Sequence, residues 1–167
     1  MSINDLTRVP DLLLMDFDGV FTDNYVEVNS EGLEIMRFSK YDSYGISRLV
    51  KAGIKVHVIS SDVNGQIIAQ RCNKMCIPFS FGVKDKVSEA IKVCSIFSSN
   101  LDQCAFLGND LNDLDLLEKV GIPIVVQDAH SDLSNRGFFR TSFKGGNGAI
   151  REVADRILFL MESYCES

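Results

Sequence analysis

Leu12-Leu13-Leu14-Met15-Asp16-Phe17-Asp18-Gly19-Val20-Phe21-Thr22-Asp23 is the stretch on which the fold turns. Four consecutive apolar residues stop at two carboxylates one residue apart, followed by a Gly, a Thr and a third carboxylate. A short unbroken apolar run predicts a strand covered on both faces, as in parallel sheets. The acids then fall where that strand leaves the sheet. Several carboxylates at one strand end repel each other unless positive charge sits among them, and a divalent cation held by oxygen ligands is the usual solution. Asp18-Gly19 is also a common turn dipeptide, so an Asx turn with solvated acids competes with the functional reading.

Outward from this stretch, strand-like and helix-like runs alternate. Residues 12–16 form the first predicted strand. Residues 24–38 read as a β-hairpin whose arms, 25–28 and 34–38, flank a turn at Asn29-Ser30-Glu31-Gly32. Helical spacing follows at 43–52, ended by Gly53, and then at 63–75, 85–97, 111–120 and 147–161. Strands are expected at 56–59, 79–82, 104–107 and 122–126. Strands spaced by helices of this length imply βαβ units: an α/β fold with a central parallel sheet and helices on both faces. Residues 1–167 read as a single domain without repeats, low-complexity tracts or linkers. Ligands of such sheets bind at the carboxyl ends of the strands.

Composition sets the outer limits. The chain has 167 residues, 46% hydrophobic and 24% charged, which is ordinary for a soluble domain with a sizeable core. A net charge of −6 argues against nucleic acid as the main partner, because phosphate backbones are held by clustered Lys and Arg. No apolar run reaches membrane-spanning length. Met1 to Pro10 lacks the layout of a signal peptide, so a cytoplasmic location is expected. Cys72, Cys76, Cys94, Cys104 and Cys165 are odd in number and predict reduced thiols. Cys72 and Cys76 are spaced to share a helix face in an apolar role. His57 and His130 have no evident catalytic partner and read as structural.

The strand ends carry the chemistry. The first ends in Asp16, Asp18 and Thr22. The second core strand ends in Ser60, Ser61 and Asp62. The third leads into Lys84, Asp85 and Lys86. The fourth ends in Gly108-Asn109-Asp110-Leu111-Asn112-Asp113. If the topology is as expected, these clusters meet at one sheet edge and supply acids, a hydroxyl and an ammonium. That inventory fits phosphoryl transfer, where positioning and charge neutralisation do most of the work. Ser60 could instead be a strand-end polar residue and Lys86 a solvated lysine. A cation at a helix start, however, opposes the helix dipole and points to a role.

In these residues the chain resembles the haloacid dehalogenase superfamily of phosphatases. The resemblance rests on Asp16-Phe17-Asp18-Gly19-Val20, Ser60, Lys86 and the Gly108–Asp113 cluster, in that order. It narrows to a capless subgroup through the extension of the first motif to Thr22-Asp23, the 24–38 hairpin and Tyr41-Asp42-Ser43-Tyr44-Gly45-Ile46. Gly82-Val83-Lys84-Asp85-Lys86 and Gly145-Gly146-Asn147-Gly148-Ala149-Ile150-Arg151-Glu152 belong to the same resemblance. The subgroup comprises 3-deoxy-D-manno-octulosonate 8-phosphate phosphatases, nonulosonate 9-phosphate phosphatases and the C-terminal domain of CMP-sialic acid synthetases. The resemblance implies a Rossmann-like fold with a small hairpin after strand 1, no cap domain, and a homotetramer whose neighbouring subunit closes the site. It implies Asp16 as nucleophile, Asp18 as acid/base, Ser60 on a phosphoryl oxygen and Lys86 offsetting charge. Mg²⁺ would be held by Asp16, the Asp18 carbonyl and Asn109, with Asp113 behind them. Thr22, Ser61, Asp62 and Lys74 would contact a phosphorylated sugar acid.

Three positions depart from the subgroup's pattern. Asn109 stands where an Asp is usual, which removes one negative charge from the metal site. Ser60-Ser61-Asp62 replaces the Thr-Gly-Arg of the octulosonate phosphatases and resembles the acid-bearing nonulosonate type. Asp42-Ser43-Tyr44-Gly45 replaces Asp-Gly-x-Gly. Two readings follow: a Mg²⁺-dependent phosphatase of a 2-keto-3-deoxy sugar acid phosphate, or a weakly active module serving assembly. Retention of Asp16, Asp18, Ser60 and Lys86 favours the first, and Asn109 favours the second.

Overall fold

In the computed structural model, which describes residues 1–165, the chain runs in the following order. It passes through β1 (Leu12–Met15), β2 (Glu27–Val28), β3 (Glu34–Ile35), α1 (Lys40–Lys51), β4 (Lys55–Ile59), α2 (Gly65–Met75) and β5 (Phe79–Ser80). It continues through α3 (Lys86–Ile96), β6 (Cys104–Gly108), α4 (Leu114–Leu117), β7 (Ile122–Val125), β8 (Phe139–Arg140) and α5 (Ala149–Cys165). Six strands form one sheet in the order β5-β4-β1-β6-β7-β8, and every pairing in it is parallel. β2 and β3 form a separate antiparallel hairpin. The expected α/β sheet is present, with β1 near its centre.

The apolar run of β1 explains that position. Side chains alternate across a strand, so Leu13 and Met15 join one core layer, while Leu12 and Leu14 join the other. The first layer holds Ile46 and Leu49 of α1, Ile68 of α2, and Ile150, Val153 and Ile157 of α5. The second holds Ala90 and Val93 of α3 and Leu116 and Leu117 of α4. All four residues of β1 are fully buried. Burial of one such side chain stabilises by about 1.5–3 kcal/mol, so this strand has no solvated register to slip into.

Several boundaries differ from expectation. The hairpin strands are two residues each rather than four or five, because Tyr25, Val26, Val28 and Ile35 find no core to pack on and stay exposed. The helix expected over 111–120 is broken into a 3-10 turn, Leu111–Asp113, followed by the single turn of α4. There Asp110 and Asp113 cap the turn reciprocally, which tightens it. β8 was not anticipated; it pairs with β7 and is supported by a hydrogen bond from Arg140 N–H to the Met1 carbonyl, 2.9 Å. Cys76 caps α2 in a left-handed conformation (φ 55°) and is exposed, so it does not share a buried face with Cys72. Cys72, Cys76, Cys94 and Cys104 are free thiols, and the side chain of Cys165 lies outside the described residues. Among the described residues no helix is long and apolar enough to cross a membrane.

Asp42 has a clear structural task. It is buried in α1, and its carboxylate accepts hydrogen bonds from the Gly148 and Arg151 main-chain N–H groups, at 3.2 and 2.9 Å. It thus caps the start of α5 from another helix. Asp42→Ala is expected to cost about 2 kcal/mol, read as a lowered midpoint in urea unfolding, with Asp42→Asn recovering part of the loss.

Candidate active site

From β1 the chain winds outward through β4 and β5, then α3 carries it back across the sheet to β6, β7 and β8. The winding direction reverses between β1 and β6, and open α/β sheets form a crevice at that point. Asp16 immediately follows β1, Ser60 follows β4, Lys86 opens the helix after β5, and Asn109 follows β6. The four clusters therefore meet at one edge. Three of them border a small cleft of about 100 Å³, lined by Asp16 and Asp18, by Ser60, Ser61 and Asp62, and by Asn109, Asp110 and Asn112, with Asn24 completing the wall. Phe17, between the two acids, is fully buried against Phe21 and Phe38 (ring centroids 5.3 and 5.7 Å), which turns its neighbours toward the cleft.

Lys86 is the electrostatic centre. It is 5% exposed, and its ammonium lies 2.8 Å from Asp16 Oδ1 and 2.6 Å from Asp113 Oδ1. Burial alone would lower its pKa; the two carboxylates outweigh that effect and hold it above the usual lysine range. One ammonium does not neutralise two buried carboxylates. Burial and the charge of Asp113 push Asp16 up to about 7, against the pull of Lys86 and the Phe17 N–H. Asp18 is also held above the usual carboxylate range, by burial first and then by Asp62. The cleft is thus short of positive charge.

The loops are fixed by their own hydrogen bonds. Asp113 Oδ2 accepts from the N–H groups of Asn109 (2.8 Å) and Asp110 (3.3 Å), while its other oxygen holds Lys86. Ser60 Oγ accepts from Asp62 N–H at 3.1 Å, and Asp62 Oδ1 accepts from Asn64 N–H at 2.8 Å. Gly19 has φ +76°, and a Cβ there would lie 1.9 Å from Asn109 Nδ2, so the Asn109 side chain rests directly on this glycine. Gly145 approaches the same loop from the far end of the chain; a Cβ on it would meet the Gly19 carbonyl oxygen at 1.8 Å.

Asp16, Asp18, Ser60, Ser61, Asp62 and Asn109 are all brought to the cleft, and Lys86 lies beneath Asp16. Two of the expected substrate contacts are not. Thr22 is buried, and its hydroxyl accepts from the N–H groups of Gly19 (3.1 Å) and Asn24 (3.2 Å); it shapes the loop and does not line the cleft. Lys74 is exposed near the end of α2, roughly 13 Å along the helix axis from the turn beside the cleft. Asp113 is 0% exposed with both oxygens engaged, so it supports the site from behind and does not face it. Asn24 was missed. The available signal was its place directly after the acid motif, at the hairpin root, in a residue type that tolerates left-handed backbone.

Among the described residues no three His, Cys, Asp or Glu side chains converge to cage a metal. The residues lining the cleft instead bring oxygen donors of mixed kind, acids at Asp16 and Asp18 and an amide at Asn109. A donor set with few carboxylates suits a hard cation that keeps waters and draws its other ligands from a phosphate, as Mg²⁺ does. The raised Asp16 carboxyl fits the same view. His57 is uninvolved: it contacts Ser80 Oγ at 3.0 Å, Ser80 donates to Glu89, and burial lowers the imidazole to about 4. A groove of about 730 Å³ along α5 contains none of these groups.

Comparison with known proteins agrees with this geometry. Residues 58–148 match the haloacid dehalogenase-like hydrolase family. A 3-deoxy-D-manno-octulosonate 8-phosphate phosphatase of Yersinia pestis is 32% identical over 152 residues, covering 90% of this chain and 81% of the relative. A crystal structure of that phosphatase from Yersinia pestis covers 92% of this chain and 83% of its own, with a TM-score of 0.88 at 32% identity. The 3-deoxy-D-manno-octulosonate 8-phosphate phosphatase of Moraxella catarrhalis, solved in complex with a magnesium ion, a phosphate ion and a KDO molecule, has a TM-score of 0.88. It is 27% identical and covers 98% of this chain and 96% of its own. The chain belongs to the haloacid dehalogenase-like hydrolase family. Within that family it is an enzyme of the phosphoric monoester hydrolase class.

The Lys86 arrangement generates a stability test. Lys86→Met leaves Asp16 and Asp113 buried without a counter-charge. It is expected to destabilise the metal-free protein by about 3 kcal/mol near neutral pH. Burial makes Asp16 bind its proton more tightly folded than unfolded, so the deficit shrinks on acidification. Urea unfolding of both proteins at neutral and at mildly acidic pH reads the difference.

Proposed function

We propose that the chain is a single-domain, Mg²⁺-dependent phosphatase acting on a 2-keto-3-deoxy sugar acid phosphate of the octulosonate 8-phosphate or nonulosonate 9-phosphate class. The observation that carries this reading is the buried Lys86 bound to Asp16 at the carboxyl edge of β1, with Asp18 and Ser60 on the same cleft. The sugar-acid part of the reading comes from the octulosonate phosphatases that the chain resembles.

Asp16 attacks phosphorus; a bond forms from its carboxylate oxygen to phosphorus as the ester P–O bond breaks, giving an aspartyl-phosphate. Asp18 gives its proton to the departing alkoxide, a role suited to a carboxyl held above its usual range. Asp18 then takes a proton from water, which attacks the aspartyl-phosphate, releases inorganic phosphate and restores Asp16. Ser60 hydrogen-bonds a phosphoryl oxygen, and Lys86 keeps Asp16 oriented and offsets its charge. Ser61 and Asp62, which line the same cleft, contact the substrate beside the phosphoryl group. Asp16, the Asp18 carbonyl and Asn109 would hold Mg²⁺, which supplies positive charge to the phosphoryl oxygens and to Asp16.

A weakly active assembly module is favoured only by the neutral Asn109. Against it stands the Lys86–Asp16–Asp113 cluster: buried charges are costly and a scaffold has no use for them. Exposed Tyr25, Val26, Val28, Leu33 and Ile35 on the small hairpin support a homo-oligomer, for which the resemblance suggests a tetramer, because a two-stranded piece is marginal alone.

The test is phosphate release from a panel of sugar acid phosphates with Mg²⁺. Turnover of at least one is expected, with Asp16→Asn losing it while keeping the wild-type circular dichroism spectrum. No release from any ester leaves the assembly reading standing. Mg²⁺ must also displace the proton of Asp16, so its thermal stabilisation of the protein is expected to grow as pH rises from about 5 to about 7.5. A shift in melting temperature independent of pH counts against Asp16 as a ligand.

A further inference from the structure

We infer that Asn24 is a substrate-contacting, specificity-determining residue that reads a hydroxyl of the leaving group next to the phosphoryl site. This rests on the phosphatase reading above. Asn24 lines the same cleft as Asp16, Asp18 and Ser60, but it belongs to the root of the hairpin rather than to a strand end. Its backbone is left-handed, φ 65°, a conformation that Asn adopts more readily than most residues with a side chain. The group that holds it is Thr22: its single hydroxyl oxygen accepts from both Gly19 N–H and Asn24 N–H and so closes the loop around position 24. The Asn24 Cγ lies 3.3 Å from where a Gly19 Cβ would be, beside the Asn109 carboxamide over the same glycine.

Among the described residues the Asn24 carboxamide makes no hydrogen bond, so its donor and acceptor are both free at the cleft. The walls nearer Asp16 are already committed to the phosphoryl group. A group on the hairpin side meets what projects outward from it, the carbon chain of the ester. A neutral carboxamide both donates and accepts, which matches a hydroxyl better than a carboxylate or an aromatic ring. It also adds no charge to a cleft already rich in acids.

The experiment compares wild type with Asn24→Gly, which keeps the left-handed backbone and removes only the carboxamide. Two quantities are measured with Mg²⁺. One is kcat and KM for 3-deoxy-D-manno-octulosonate 8-phosphate and a nonulosonate 9-phosphate. The other is the inhibition constant of inorganic phosphate, which fills the phosphoryl site without a sugar. The variant is expected to lose about tenfold in kcat/KM on the preferred sugar ester, mainly through KM, with phosphate inhibition within twofold of wild type. Unchanged KM overturns the inference. So does an equal weakening of phosphate inhibition, which would assign Asn24 to the phosphoryl site or to loop shape. If wild type hydrolyses neither sugar ester, the functional reading itself fails and takes the inference with it. If wild type turns them over and the variant matches it, the inference alone fails.

Discussion

A lysine ammonium enclosed between two carboxylates, in a place water barely reaches, is the constraint to which the rest of this molecule answers. Lys86, Asp16 and Asp113 come from three separated parts of the chain, and each is expensive to bury alone. Together they are held at hydrogen-bond distance. The arrangement dictates that α3 begin at the sheet edge, that β1 end there, and that the loop after β6 fold back so that Asp113 can reach inward. The broken helix after β6 is a consequence: a regular helix from Leu111 would carry Asp113 away from Lys86 and the Asn109 N–H.

The charge balance of this group is deliberately incomplete. Two carboxylates against one ammonium leave Asp16 partly unsatisfied, while Asp18 is raised by burial first and then by a different neighbour, Asp62. Two adjacent acids on one loop therefore differ in what surrounds them: one touches the cation and the other does not. Divergent environments for paired carboxyls are how a site divides nucleophile from proton carrier. The neutral Asn109 lowers the total negative charge of the crevice, yet its main chain is fixed by Asp113 and His130, so the side chain remains where a donor is useful.

Much of this was legible in the amino-acid order because the governing features are local. The run Leu12–Met15 has no polar face, so only a central strand suits it. The polar clusters follow apolar runs, so they fall at carboxyl ends. What escaped was decided by distant contacts. Thr22 looks like a substrate ligand in a motif, but its hydroxyl is consumed by two main-chain donors that only the folded loop brings together. Lys74 is positioned by helix length, which carries it away from the cleft. β8 is two residues long and exists because β7 and the N-terminal segment offer it partners. Asn24 is concealed by the apolar residues that follow it, which mark the hairpin more strongly than the site.

The parallel pairing of β1 with both β4 and β6 has a consequence for how the molecule comes to be active. β1 meets β6 across more than half the length of the chain, and the loop entropy of such a contact must be met before its bonds form. An early β1–β4 unit would hold Asp16 and Ser60 near each other but lack the anchor that Asp113 gives Lys86. The complete Lys86–Asp16–Asp113 group therefore exists only where β6 and the loop after it lie beside β1.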